Sequence, residues 1–309
     1  MTATALPFAP LWLATILLTL AVAIRAAIPR GRPRPIRLKV LGRALMPARM
    51  LRSASGRLDI AAFLFATMIA TSVLGWALLS ADWWAVRTAA FVGPAPATIP
   101  GWIAAPLATL LLFLAYEFAY WFYHMLSHRI AWLWAFHKVH HSAESLSLLT
   151  NFRVHPVDTI VFYNFAAFVT GVIGGLVAPF CGPSGPWVVG NANLLVFVSS
   201  ILLSYLQHSH LWISWPGRLG RWLMSPAAHQ LHHSIDPRHH DRNFGSTVAL
   251  FDWLGGTLLL PTGPRQKLQF GLDDAGRNPH GFAGAVLRPF GEAALAVAPR
   301  IPSAAREAI

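Results

Sequence analysis

Acid is scarce in this chain of 309 residues: 12 Asp and Glu against 24 Lys and Arg, with charged residues making up only 12% of the whole. Soluble domains carry about twice that share of charge. Glutamate occurs four times, as Glu117, Glu144, Glu292 and Glu307. None begins a Glu-x-x-His motif, which argues against the carboxylate-bridged di-metal bundles that need two of them. The sequence also lacks H-E-x-x-H, which excludes zinc proteases of that type. Cys181 is the single cysteine, so there is no disulfide framework and no Cys-ligated iron–sulfur cluster, and it reads as a packed thiol. No repeat with a period of 20–50 residues is present.

Acid is absent from the chain ahead of Asp59. Ten basic residues lie between Arg25 and Arg57, ahead of the first acidic residue, Asp59. A net charge of +12 invites a nucleic-acid reading, but no reader motif accompanies it, and nucleic acid is set aside. The basic stretch lies between two apolar runs, where the positive-inside rule and attraction to anionic lipid account for it.

Hydrophobic residues make up 55% of the chain. They gather in the runs Leu11–Ile24, Ile60–Ser80, Ala104–Phe122, Val157–Phe180 and Trp187–Leu206. A bilayer span needs about 20 such residues, and these runs predict four to six spans. The first run has its basic cluster after it rather than before, the reverse of a signal peptide, and reads as an anchor with its N-terminus outside. The stretch Asp82–Gly101 carries only Arg87 and Cys181–Pro186 carries no basic residue, whereas Arg129, Lys138 and Arg153, then Arg218, Arg221, Arg238 and Arg242, mark the other side. The expected fold is an all-α integral membrane protein, a bundle of four to six hydrophobic helices with a cytoplasmic histidine-rich helical cap. A bacterial inner membrane or its equivalent is the expected location. Residues 1–100 read as membrane anchors around a basic cytoplasmic loop, 101–260 as the catalytic core, and 261–309 as a cytoplasmic tail over that core. Within the tail, Pro264–Pro289 reads as irregular and Ala293–Ile309 as an amphipathic helix.

Histidine is what the core has in excess. Thirteen of the 14 histidines lie between His124 and His240. They form H-x3-H (His124, His128) and two copies of H-x2-H-H (His137, His140, His141; His229, His232, His233). Leu107–His128 has no Pro or Gly and predicts one continuous helix, on which His124 and His128 share a face. On a helix the three histidines of each H-x2-H-H also point roughly one way. Pro226 suits a helix start, with Ser225 as its N-cap.

Imidazole suits zinc, copper, iron and nickel. One zinc-type site closes with about four ligands, and these clusters exceed that, so two metals sharing them is the simplest account. The ligands expected are His124, His128, His137, His140, His141, His229, His232 and His233, with His208 beside them. His210 is open between ligand and supporting group, and His155 between a structural and an orienting role. His239 and His240 read as surface or supporting residues, and His280 as a packed or capping group. Each ligating ring needs an acceptor for its other N–H. The candidates are Asp158, Asp236, Asp241, Asp252 and Glu144.

These motifs resemble the fatty acid hydroxylase and sterol desaturase superfamily over about residues 110–270. E-F-A-Y-W-F-Y-H-M-L-S-H (Glu117–His128), L-W-A-F-H-K-V-H-H-S (Leu133–Ser142) and S-P-A-A-H-Q-L-H-H-S (Ser225–Ser234) are similar to its three histidine boxes. F-R-V-H-P-V-D (Phe152–Asp158), R-N-F-G (Arg242–Gly245) and F-D-W-L-G-G-T (Phe251–Thr257) are similar to its other signatures. Four positions depart: nearby members usually have Asp at Glu117, Arg at Met125, Asn at His210 and Phe at Gly255, the last expected to loosen a packing contact.

The resemblance implies a membrane-bound di-iron oxygenase with two iron ions and O2 as co-substrate, drawing electrons from a separate protein of cytochrome b5-like or ferredoxin/reductase type. It implies hydroxylation, or else desaturation, of a C–H bond in a membrane lipid: a fatty acyl chain, ether lipid, sterol, hopanoid or carotenoid. Trp132, Trp134, Phe136 and Phe152 either line the lipid entrance or simply pack. A histidine-rich metal transporter would place its ligands mid-span, and a zinc hydrolase would need a general base near fewer ligands.

Overall fold

A computed structural model describes residues 47–70, 80–215, 217–262, 265–272 and 280–298. The Leu11–Ile24 run, most of the basic stretch and the end of the Ile60–Ser80 run lie outside the described residues.

Helix α1 (Ala48–Arg52) leads through Ser53 into α2 (Ala54–Phe65), whose N-cap is the Ser53 hydroxyl accepting from the Gly56 N–H at 2.9 Å. A π-helical turn, Ala66–Ala70, continues it. Ser80 caps α3 (Ala81–Val92) in the same way. The uninterrupted apolar run then gives α4 (Gly101–Arg129), which breaks at Ile130 and restarts as α5 (Ala131–His141). A 3-10 turn (Leu148–Phe152) precedes α6 (Pro156–Cys181), with Pro156 in its first turn and His155 Nδ1 accepting from the Val157 N–H. Beyond lie the hairpin β1 (Val188–Val189) and β2 (Ala192–Asn193), then α7 (Leu194–Gln207), α8 (Pro226–His232), α9 (Leu250–Leu254) and α10 (Phe282–Val297).

Among the described residues, α4 and α6 are long and apolar enough to cross a membrane, with mean hydropathy 1.7 and 1.9. At 1.5 Å per residue they measure about 44 and about 39 Å, more than the roughly 30 Å hydrocarbon core. The end of α4 that carries His124 and His128 can therefore stand clear of the lipid tails. Large side chains such as Leu110, Phe168 and Leu176 are exposed on these two helices, as a lipid-facing surface requires. The pair packs together and α3 packs along α6. Gly171 and Gly175 permit that approach: a Cβ on either would collide with the α3 backbone at Ala81 or Ala85.

Two expectations are corrected. Trp187–Leu206 is not one span: Gly190 at φ 61 turns the hairpin, and the Asn193 side chain caps a fresh helix by accepting from Leu195 N at 2.9 Å. The resulting α7 is about 21 Å long, short of a bilayer core. The tail is not irregular through Pro289 either, since α10 begins at Phe282 and ends at Val297. It is held against α5 by Ala293 on Ala135 and Phe136, and by Lys138 to Glu292 at 2.6 Å.

Candidate metal centre

The end of α4, the body of α5, the residue after α7 and the whole of α8 converge on one buried region. Ser225 caps α8 through the Ala228 N–H at 3.1 Å, and this fixes the start from which His229 and His232 are counted. The histidines do not form one cluster but two. His124, His128, His137, His141 and His232 bring one ring nitrogen each within 4.8 Å of one another, and so do His140, His208, His229 and His233. These are the nine sequence-predicted ligands.

Helix geometry explains the division. At 3.6 residues per turn an i, i+4 pair differs by about 40°, while an i+3 position lies about 60° to the other side. His124 and His128 stay together, as do His137 and His141, and His229 and His233. The middle histidine of each H-x2-H-H, His140 or His232, turns to the opposite group. Three histidines on one side was thus the wrong picture: each such box supplies both groups.

In the first group the outer nitrogens are fixed. His124 Nδ1 donates to the Phe244 carbonyl at 2.7 Å, His137 Nδ1 to Asp158 Oδ2 at 2.9 Å, and His232 Nδ1 to the Arg242 carbonyl at 2.8 Å. With that tautomer set, each Nε2 presents a lone pair inward. In the second group His208 Nδ1 donates to Asn151 Oδ1 at 2.9 Å. Its Nε2 lies 2.9 Å from that of His140, 3.0 Å from His229 and 3.1 Å from His233.

Several of these nitrogens are stranded. The Nε2 atoms of His124, His128, His137, His141 and His232 are buried without a hydrogen-bond partner. A buried polar group left unpaired costs about 1–3 kcal/mol, and five around one point are too many for a core that serves only packing. A cation in each group would use them. Burial first, then neighbouring imidazoles, hold His140, His141, His229 and His233 well below the ordinary histidine range. Burial pushes His208 and His232 down to about 3. Neutral imidazole is the ligating form, so the donor set fits a pair of metal ions.

Residues 109–257 match the family model described as fatty acid hydroxylase. This stretch belongs to the fatty acid hydroxylase family. Alkylglycerol monooxygenase of Xenopus tropicalis is 26% identical over 167 residues, covering 54% of this chain and 33% of that protein. Ornithine lipid hydroxylase OlsE of Rhizobium tropici is 25% identical over 174 residues, 56% of this chain and 47% of that protein. A cholesterol 25-hydroxylase-like protein of Caenorhabditis briggsae is 27% identical over 128 residues, 40% of this chain and 37% of that protein. The chain thus spans about a third to a half of the length of these relatives. No solved structure matches it.

Two departures from the usual hydroxylase-family residues have a structural account. Glu117, buried on α4, accepts from the backbone of Thr247 and Val248 and from the Thr247 hydroxyl, tying α4 to the loop that ends in Phe244–Val248. Gly255 was expected to loosen a contact, yet the Trp121 indole lies 2.5 Å from where a Cβ would stand. Trp121 fills the room that a larger residue would take.

The remaining candidates fall outside both groups. His155 spends both ring nitrogens on the fold, one on capping α6 and the other, Nε2, in donating to the Val286 carbonyl at 2.9 Å, so neither is free for a metal. His210 is half-buried and belongs to neither group. Asp236 is bound to Arg238 at 2.6 Å on the surface, and Asp241 is exposed in a left-handed turn at φ 55. Neither meets a histidine of the two groups, because Pro237–His239 carries them outward as a 3-10 turn. His280 accepts from Arg153 at 3.0 Å and donates to Glu144 at 2.9 Å. Arg153 itself is fully buried, bound to Asp59 at 3.0 Å and to Val139 and Ser142 at the C-terminal end of α5.

Sequence reasoning missed Asn151, Tyr123 and the backbone partners. Tyr123 donates to Asp158 Oδ1 at 2.5 Å, completing a Tyr123–Asp158–His137 line. Asp252 accepts from Phe244 N at 2.8 Å and Gly245 N at 2.7 Å, and so aims the Phe244 carbonyl at His124. The H-x-P-V-D spacing hinted at Asp158; nothing in the sequence marks a carbonyl.

A cavity of about 890 Å³ reaches both groups, with His124 and His137 of the first and His140 and His208 of the second in its wall. It runs between α4, α6, α7 and the end of α2. Of the four aromatics considered for a lipid entrance, Phe152 alone lines it. Trp134 packs on His128 and His141, Phe136 packs on His155 and Phe290, and Trp132 lies at the surface.

Proposed function

We propose that this chain is an integral-membrane, O2-dependent di-iron oxygenase that hydroxylates a C–H bond of a membrane lipid. The observation that carries the reading is the meeting of two all-nitrogen groups at the wall of one largely apolar cavity. His124, His128, His137, His141 and His232 would hold one iron, and His140, His208, His229 and His233 the other. Bound there, the pair supplies O2 activation with two electrons from outside. The chain does the rest. Asp158, Asn151 and the carbonyls of Phe244 and Arg242 keep a proton on the outer nitrogen of their histidines. Phe162 and the α4 tyrosines line the cavity beside the histidines, and the cavity has room for a lipid chain.

The relatives support lipid hydroxylation, being an alkylglycerol monooxygenase, an ornithine lipid hydroxylase and a cholesterol 25-hydroxylase-like protein. The basic residues flanking the histidine boxes support a cytoplasmic orientation for that end. Residues 1–100 act as anchors, 101–260 as the catalytic core and 261–309 as a tail over it. A separate electron-transfer protein, cytochrome b5-like or a ferredoxin with its reductase, supplies the reductant. The location of both groups at helix ends, rather than midway along α4 and α6, disfavours a transporter.

Lipid profiles of cells with and without the gene, grown in air, test the reading alongside a metal count on the purified chain. Two irons per chain and a lipid that gains one oxygen only in cells with the gene are expected. His137→Ala should abolish that product while the protein still inserts into membranes. One zinc per chain with O2-independent hydrolysis overturns the proposal, and a lipid that loses two hydrogens instead assigns desaturation.

A further inference from the structure

The chain has five tyrosines, and all five line the cavity above the histidines: Tyr116, Tyr120 and Tyr123 from α4, Tyr163 from α6 and Tyr205 from α7. Ring packing does not demand this. Phe162 is the common neighbour, with its centroid 6.0, 5.5, 5.6 and 5.3 Å from those of Tyr116, Tyr120, Tyr123 and Tyr163. Phenylalanine would pack against it equally well, so the hydroxyls are what distinguish this wall.

One hydroxyl is committed, that of Tyr123 to Asp158. Among the described residues, the hydroxyls of Tyr116, Tyr120 and Tyr163 meet no hydrogen-bond partner. Tyr120 stands one helical turn from His124 and Tyr116 two, about 6 and about 12 Å along α4. Tyr163 is half exposed on the neighbouring helix. An alkyl chain without heteroatoms would press against these donors and leave them unpaired, which a buried polar group resists.

We propose that the lipid taken by this cavity carries a hydrogen-bond-accepting oxygen, such as an ether or ester, about one to two helical turns from the carbon presented to the histidines. Tyr116 and Tyr120 are the specificity-determining donors, and Tyr163 receives the oxygen at the rim. This inference rests on the lipid-oxygenase reading of the same cavity and narrows its substrate class.

Metal-free protein in detergent micelles provides the test, because it needs neither iron nor turnover. A nitroxide-labelled stearate occupies the cavity, and its release is followed by electron paramagnetic resonance as dioctyl ether or heptadecane is added. The two competitors have equal chain lengths and differ by one oxygen. The ether should displace the probe at a concentration about tenfold lower than the alkane, the equivalent of one hydrogen bond. In the triple variant Tyr116→Phe, Tyr120→Phe, Tyr163→Phe the ratio should fall to about one, with helicity unchanged. Should the triple variant fail to fold, Tyr116→Phe and Tyr120→Phe alone should each lower the ratio. Equal displacement by both chains in the parent protein, or a preference that survives the tyrosine substitutions, overturns the inference, as does failure of both chains to displace the probe. A retained ether preference in a chain that binds no iron would overturn the oxygenase reading and leave this inference standing.

Discussion

Asp158 holds two groups at once, the Tyr123 hydroxyl at 2.5 Å and His137 Nδ1 at 2.9 Å. Asp158→Asn keeps the shape but removes the charge that favours the N–H on Nδ1. Loss of such a supporting partner typically lowers metal affinity by about 10–100-fold, and chelator competition should show a loss in that range with the helical content retained. His280→Ala tests the opposite case. It removes one hydrogen bond from the buried Arg153, so stability should fall by about 1–2 kcal/mol while metal content stays unchanged; lost metal would place His280 in the metal centre. The nine clustered histidines were legible as a set because spacing on a helix is a matter of counting. Their division into two groups was not legible, since it depends on which helix faces each side. Nor was the Phe244 carbonyl, because every residue has one and only the fold aims it.

At the scale of elements, the long apolar runs gave α4 and α6 directly, and Ser225–Pro226 gave the start of α8. Trp187–Leu206 misled because hydropathy counts side chains and is blind to the Asn193 cap and the Gly190 turn that divide the run. α10 was obscured for the converse reason. Gly284, Pro289 and Gly291 lie within it as apparent breakers, and packing on α5 outweighs their weak propensity. Two substitutions test what holds the elements. Ser225→Ala removes the α8 cap and should lower thermal stability by about 1 kcal/mol, with a parallel loss of metal affinity at the histidines of that helix. Asp59→Ala leaves Arg153 buried without its counter-ion between α2 and α5. Breaking a buried pair from one side costs about 3–5 kcal/mol, and a denaturant melt that shifts far less would show that the pair does not join these helices.

For the whole molecule, the concentration of neutral imidazole makes acid the natural stress. Outside the membrane helices, His140, His141, His208, His229, His232 and His233 all sit below the ordinary value of 6.5 because they are buried among one another. In the unfolded chain the same residues titrate near 6.5, whereas His208 and His232 in the folded protein refuse a proton until about 3. Between those values the unfolded chain binds more protons, so the folded state loses stability as pH falls, and the slope steepens with the number of histidines involved. The thermal midpoint of metal-free protein should therefore be nearly flat from about pH 8 to about pH 7 and decline steadily from about pH 6.5 downward. A metal ion held by the two groups should raise the plateau, because it would bind only the folded, deprotonated set, and should make the acid decline sharper as protons displace it. A midpoint that stays level from 6.5 to 4 in the metal-free protein would mean that these rings are not held neutral together, and the two groups would then lose their common basis as metal sites.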